Sequence, residues 1–213
     1  MIKIEHIEVW GFRHAIRGMR NPLNSWSRSD SNFEGGVTIG PNDLDLMRRL
    51  YEAGTEHRKY MRQIFISMDI TAPLYWWKEF DTYKIGTTAN SCSTMHKITE
   101  KEFTAEDFSC EFSIGSYETG KTFDRIQKTV FDSTLEHLNF LREACLISTD
   151  YKEAWNALIQ TLPTSYNQKR TITMNYENAV SMIRQRQGHK LQEWHVFCDE
   201  LWELPYMKEI AGE

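Results

Sequence analysis

A chain of 213 residues, 40% hydrophobic and 13% aromatic, is long enough to bury a real core and too apolar to be disordered as a whole. Twenty-five Lys and Arg against 30 Asp and Glu leave a net charge of −5; that argues against a protein that coats duplex nucleic acid and still allows a local cationic pocket. No apolar run approaches the roughly 18 residues of a membrane span. The charged, alternating start does not read as a signal peptide. Cys92, Cys110, Cys145 and Cys198 show neither metal spacing nor a disulfide framework. The expected compartment is a reducing cytoplasm, that of a bacterium or of an infected cell.

Residues 2–12 alternate with period two and predict a strand, with a change of phase near His6. The following 29 or so residues, 15–43, are rich in Arg, Asn, Ser and Gly. They predict a long polar loop of the kind that often faces a ligand. Pro41 closes it, and Asn42 or Asp43 can cap a helix that carries Leu46, Leu50 and Tyr51 and stops at Gly54. Residues 63–70 predict a buried strand. Pro73 starts a helix over 74–85, followed by a small polar loop over 86–97.

From Ser116 to Thr149, the steps Phe123, Ile126, Val130, Leu135, Leu138 and Leu141 predict one long helix, or two with a break. Tyr151 to Leu162 predicts another helix, ended by Pro163. Residues 170–175 form a short strand or an extended link. Helices follow over 178–187 and 190–202, separated by Gly188. The chain reads as a single α+β domain, 1–213, with a helical majority.

Three places could carry chemistry. Arg17, Arg20, Asn21, Asn24, Ser25, Ser27, Arg28 and Ser29 offer guanidinium and neutral donors suited to a nucleotide phosphate; a solvated loop is the plain alternative. Residues 73–97 gather hydroxyls and backbone N–H groups that can hold an anion, although the pattern is no Walker sequence; a helix end with Gly86 as its stop explains them equally well. Within that segment, Cys92 is more simply an inert thiol than a reactive one, and Trp76 and Trp77 more simply core than a cofactor stack. Finally, Arg184 and Arg186 sit two apart and point to different sides of a helix. His57, His189 and His195 could titrate or meet a ligand. No metal site is expected.

Several of these places line up, in order, with one family. LPTSYNQKRTITMN, from Leu162 to Asn175, resembles the "Leu-Pro, Tyr-containing stretch, Thr-x-Asn" block of the flavin-dependent thymidylate synthases (thymidylate synthase complementing proteins). SMIRQRQGHKLQEW resembles that family's "Arg, short gap, His-Ala-Gln-x-Glu" block, and residues 69–97 resemble its strand, Ala-Pro, helix and signature loop. His57 falls on the first His of a His-x-x-x-Phe-Glu-His stretch, whose last three positions are here Met61, Arg62 and Gln63. The resemblance covers about residues 44–203, and the start more loosely.

The signature itself is eroded. Thr82, Tyr83 and Lys84 stand for Arg-His-Arg, and Thr87, Ala89, Asn90, Cys92 and Thr94 follow in the remaining places. Lys84 and Thr87 keep similar chemistry. The arginine that ends the signature is Thr94, and a second substrate arginine is Ile159. Asn175, Arg186, Gln192 and, one place out of register, His189 survive. Arg20 and Ser25 resemble the family's early flavin-contacting Arg-x-Ser.

The resemblance implies a central, mainly antiparallel sheet with long helices and a homotetramer with flavin sites at subunit junctions. It implies FAD as cofactor, with Arg20, Ser25, His57, Lys84, Thr87, Asn175 and His189 around it. Substrate residues would be Arg17, Asn90, Ser91, Cys92, Ser93 and Arg186, with Cys92 and Arg186 the catalytic candidates. An active member would move a methylene from methylene-tetrahydrofolate to dUMP at the expense of NADPH. Each lost substrate arginine removes charge-assisted bonds worth about 1.5–3 kcal/mol. The competing expectation is therefore a non-catalytic nucleotide-binding protein, for example a viral one that sequesters a signalling nucleotide.

Overall fold

The computed structural model describes residues 2–110, 118–147, 149 and 151–212, and for residues 118–123 the backbone only. The elements in chain order are β1 (Lys3–Trp10), α1 (Phe12–Arg20), α2 (Pro41–Glu52), β2 (Phe65–Pro73), α3 (Leu74–Phe80), β3 (Thr88–Ser91), α4 (Thr94–Lys97), α5 (Glu118–Ile147), α6 (Tyr151–Thr161), β4 (Asn167–Asn175), α7 (Tyr176–Arg186), α8 (Gln192–Trp202) and α9 (Met207–Ala211). Short 3₁₀ turns occupy Asn21–Leu23, Trp26–Arg28, Arg58–Gln63 and Ala105–Asp107. The strands form one antiparallel sheet in the order β1-β2-β4-β3, so β1 and β3 are its edges. Sheet and long helices together give the expected α+β class. The expected helix start at Ser116 lies outside the described residues.

Contacts divide the chain into two units. One contains Thr71–Asp81 and Ser91–Arg170. Its core is the α5–α6 helical hairpin with the segment before it: Phe103, Phe108, Phe131, Leu138, Leu141 and Leu158 are buried together. The Phe108 ring meets Phe131 edge-on at 5.5 Å and Tyr166 at 5.6 Å. Asn139 accepts from the Phe103 N–H at 2.8 Å and donates to the Phe103 carbonyl at 3.0 Å, so the connection is pinned to α5 by its own backbone. Trp76 and Trp77, 0% and 1% exposed, are core residues as expected, and Trp77 Nε1 donates to the Gln168 carbonyl.

The other unit holds Ile2–Ile70, Thr82–Asn90 and Thr171–Glu213. On β2, Ile66, Met68 and Ile70 are fully buried while Ser67 and Asp69 face the other way. The expected buried strand is thus buried on one face only. On β4, Ile172 and Met174 repeat that alternation, and Thr171 and Thr173 donate to Asp69 and Ser67. The phase change foreseen at His6 has a backbone cause: His6 has φ 53 and reverses the alternation of β1.

Three expectations are corrected. Residues 15–43 are not one loop, because α1 takes their first part. Phe12, Ala15 and Ile16 bury one face of α1 while Arg13 and Arg17 stay exposed. Gly11 lets the chain enter that helix at φ 100, where a Cβ would collide with the Gln63 carbonyl oxygen at 2.1 Å. The cap of α2 is neither Asn42 nor Asp43, since Gly40 occupies that position and Pro41 the first turn. The helix over 74–85 ends at Phe80, and the loop over 86–97 contains β3 and α4. Ser93 caps α4 by accepting the His96 N–H.

Candidate functional site

The loop after α1 is held by one carboxylate. Asp43 accepts from Arg20 Nε at 2.6 Å on one oxygen. Its other oxygen accepts from Ser29 Oγ and Ser31 Oγ, both at 2.7 Å, and from the N–H groups of Asp30 and Ser31, both at 3.1 Å. Burial works to raise the Asp43 pKa; the donors from Ser31, Ser29, Arg20 and Asp30 outweigh it and hold the carboxyl below its ordinary value. Asp30 in turn accepts the N–H groups of Asn42 and Asp43 at 2.9 and 3.1 Å, which satisfies the start of α2 from a residue in the preceding loop. Arg20 also donates to the Ser25 carbonyl at 3.3 Å.

This bracing opens a cleft of about 1300 Å³ within one unit, between the end of α1, the following 3₁₀ turns, α2 and the turn at 58–63. Met19, Pro22, Leu46, Leu50 and Tyr60 give it apolar surface, and Asn21, Asn24, Ser25, Ser27 and Gln63 line it with neutral polar groups. Its basic residues are Arg20, Arg28, Arg49 and Lys59, its acidic ones Asp45 and Glu56, and His57 joins them. Arg49 pairs with Asp45 at 2.9 Å. Among the described residues neither Arg28 nor Lys59 has a hydrogen-bond or ion-pair partner for its side chain. An apolar wall with unneutralised cations on its rim suits a heterocyclic anion.

Of the sequence-nominated cofactor residues, the structure brings Arg20, Ser25 and His57 together on this cleft. Lys84, Thr87, Asn175 and His189 do not line it, and neither does Arg17, which is exposed on α1. Sequence reasoning missed Lys59, Leu46 and Leu50 as lining residues. Leu46 and Leu50 carried a signal, because they repeat at i, i+4 on a face of α2 other than the buried one of Met47 and Tyr51. Lys59 carried none, since it lies in a 3₁₀ turn without amphipathic period.

A second group surrounds the start of α7. Asn175 accepts the Asn178 N–H at 3.0 Å and caps the helix, with Asn178 answering onto the Asn175 N–H. Asn178 also donates to the Ile85 carbonyl at 2.8 Å. Gly86 (φ 76) leaves the room this needs, as a Cβ there would meet Asn178 Oδ1 at 2.7 Å. Thr87 donates to the Tyr83 carbonyl. Tyr83 donates to Gln185 at 3.0 Å and accepts from Arg186 Nε at 2.8 Å. The Arg186 guanidinium lies 4.8 Å from the Trp194 ring centre. His189 Nδ1 accepts the Leu191 N–H, and its carbonyl accepts from His195 Nε2 at 2.6 Å. Lys84 is exposed.

Asn90 and Ser91, on β3, and Cys92 are exposed. The Cys92 N–H donates to the Lys169 carbonyl at 2.9 Å, and its carbonyl accepts from Gln168 at 3.0 Å. All four cysteines are free, and burial pushes the Cys198 thiol up to about 11. Among the described residues no three His, Cys, Asp or Glu gather as a metal site would, and no helix is long and apolar enough to cross a membrane.

The fold is similar to that of thymidylate synthase X from Helicobacter pylori, solved with FAD and dUMP, at TM-score 0.68 and 16% identity over 100% of this chain and 98% of that one. A second structure of that flavin-dependent enzyme with the same ligands gives 0.66, 16%, 100% and 97%. The UMP/dUMP methylase PolB from Streptomyces cacaoi, bound with 5-Br dUMP, gives 0.67 and 12% over 98% of this chain and 93% of that one. At such identities the likeness is one of fold. No family model and no curated protein matches the sequence.

Proposed function

We propose that this chain is a nucleotide-binding protein of the flavin-dependent thymidylate synthase type, that FAD is its cofactor, and that it methylates dUMP or a related pyrimidine nucleotide. One observation carries the reading: Arg20, Ser25 and His57, which the sequence resemblance nominates for flavin, line a single cleft. The likeness of fold to proteins solved with FAD and dUMP supports it. The cleft fits the group, with apolar surface for a ring system and cations for a pyrophosphate. Bound there, the flavin would supply the redox chemistry. The chain's own part is to hold and orient it through the Asp43-braced loop.

Lys84, Thr87, Asn175 and His189 on the cofactor side belong to the proposal on the strength of the resemblance. So do Arg17, Asn90, Ser91, Cys92, Ser93 and Arg186 on the substrate side, as does a homotetramer. Self-association has separate support in α5, which exposes Ile126, Val130, Phe140 and Ile147.

A second reading, nucleotide binding without catalysis, is favoured by Ile159. It stands where a substrate arginine is expected and packs against the apolar core of the hairpin. Thr94, in place of the other arginine, offers only a hydroxyl. The visible absorbance of freshly purified protein, NADPH oxidation and tritium release from ring-labelled dUMP test the first reading. A thermal-shift panel of dUMP, flavins and cyclic dinucleotides tests the second, because a ligand that binds only the folded state raises its stability. Colourless protein that no flavin stabilises ends the flavin reading.

A further inference from the structure

The resemblance nominates Arg20 for the cofactor, yet its guanidinium is already engaged inside the protein. The residue is 4% exposed, with Nε on Asp43 and a second nitrogen on the Ser25 carbonyl. Its charge is cancelled by a carboxylate with no exposure at all. Arg49 is engaged by Asp45 in an exposed i,i+4 pair. Of the four cations on the cleft, that leaves Arg28 and Lys59 against Glu56 alone. Both are exposed and, among the described residues, unpartnered. They also come from different elements, the 3₁₀ turns at Trp26–Arg28 and at Arg58–Gln63.

We infer that Arg28 and Lys59 grip the phosphates of the ligand in this cleft, and that Arg20 is a positioning residue that sets the cleft wall without touching the anion. The inference rests on the proposed function, because it assigns the charge side of the same site. Its chemistry is direct. An exposed arginine and lysine with no internal partner lose no ion pair when a pyrophosphate arrives, whereas turning Arg20 toward the anion would take from buried Asp43 its only counter-charge and leave it to Ser29, Ser31 and backbone donors. The ring system then falls to the apolar surface of Leu46, Leu50 and Tyr60.

The test titrates the full-length protein and its R28Q, K59Q, double and R20Q variants with FAD and with riboflavin, which lacks phosphate, at two salt concentrations. R28Q and K59Q each weaken FAD binding about tenfold and the double variant about a hundredfold. Riboflavin affinity stays as in the wild type, and the salt dependence of FAD binding flattens. R20Q weakens both ligands by a similar factor and lowers Tm, the mark of a wall that has moved rather than of a lost phosphate contact. A double variant that binds FAD as tightly as wild type, with the wild-type salt slope, overturns the assignment and leaves the flavin reading standing. A wild type that binds neither ligand removes the flavin reading, and this assignment with it.

Discussion

Arg20 and Asp43 meet at 2.6 Å in a nearly dry setting, one side chain 4% and the other 0% exposed. The pair joins the last residue of α1 to the first turn of α2, and with Ser29 and Ser31 it fixes the loop that walls the cleft. Removing one member of a buried pair strands the other. Asp43→Asn keeps the size and an acceptor but leaves the arginine without a counter-charge. The expected loss is about 3–5 kcal/mol, read as a lower midpoint in denaturant with an unchanged m-value. A loss below about 1 kcal/mol would mean that water already reaches the pair.

The same carboxyl makes stability depend on pH. Asp43 titrates below its ordinary value in the folded chain. So does Glu177: burial acts to raise it, and Arg62 and Arg58 more than reverse that. A depressed folded pKa means that the unfolded chain binds more protons in this window, so stability rises with pH there. The contribution is complete above the unfolded value of about 4 and is lost as pH falls through the folded values. Denaturation measured from pH 6 down to 2.5 should show a steep acid limb in the wild type. That limb should flatten in Asp43→Asn and in Glu177→Gln, each compared with its own value at pH 6.

How far the fold could be read in the sequence depended on where each stabilising partner lay. α7 and α8 were legible because Ala179, Met182, Ile183, Trp194, Phe197 and Leu201 bury at helical spacing within their own segments. α1 was not, because three apolar residues carry its buried face among arginines that resemble a loop. The start of α2 is hidden for a related reason: the carboxylate that accepts its first N–H groups is Asp30, outside any window that frames the helix. In the site, Arg20, Ser25 and His57 were found through a motif. Asp43 reads in the sequence only as a helix cap, since a carboxylate in a first turn does not reveal that a loop will fold over it. Lys59 was invisible until the 3₁₀ turn aimed it at the cleft.

Asn175 has two roles to separate, an observed helix cap and a proposed flavin contact. Asn175→Ala should cost about 1 kcal/mol through the lost cap. Asn175→Asp keeps an acceptor for the Asn178 N–H and adds a charge that the helix N-terminus favours, so its Tm should stay close to wild type. If the amide also meets flavin, the aspartate variant loses FAD affinity while remaining stable. Unchanged stability together with unchanged FAD affinity in Asn175→Asp would confine this residue to capping.

The outward face of α5 gives the sharpest test of self-association. Positions 126, 130, 133, 137, 140, 144 and 147 step alternately by four and three residues, the spacing of a seam between two helices. They carry Ile126, Val130, Phe140 and Ile147, exposed by 53, 60, 66 and 84%, with Ser133, His137 and Ala144 between them. The opposite face, Phe131, Leu138, Leu141 and Cys145, is already committed to the hairpin core. The proposed self-association would set this stripe against α5 of another copy, which carries the same one. Phe140→Glu should therefore shift the protein toward the single chain in sedimentation velocity. With about 2 kcal/mol of lost burial on each side of the seam, the dissociation constant should rise roughly a thousandfold. Circular dichroism should stay unchanged, because Phe140 contributes nothing to the hairpin core. An unaltered sedimentation coefficient for Phe140→Glu would place any interface elsewhere on the molecule.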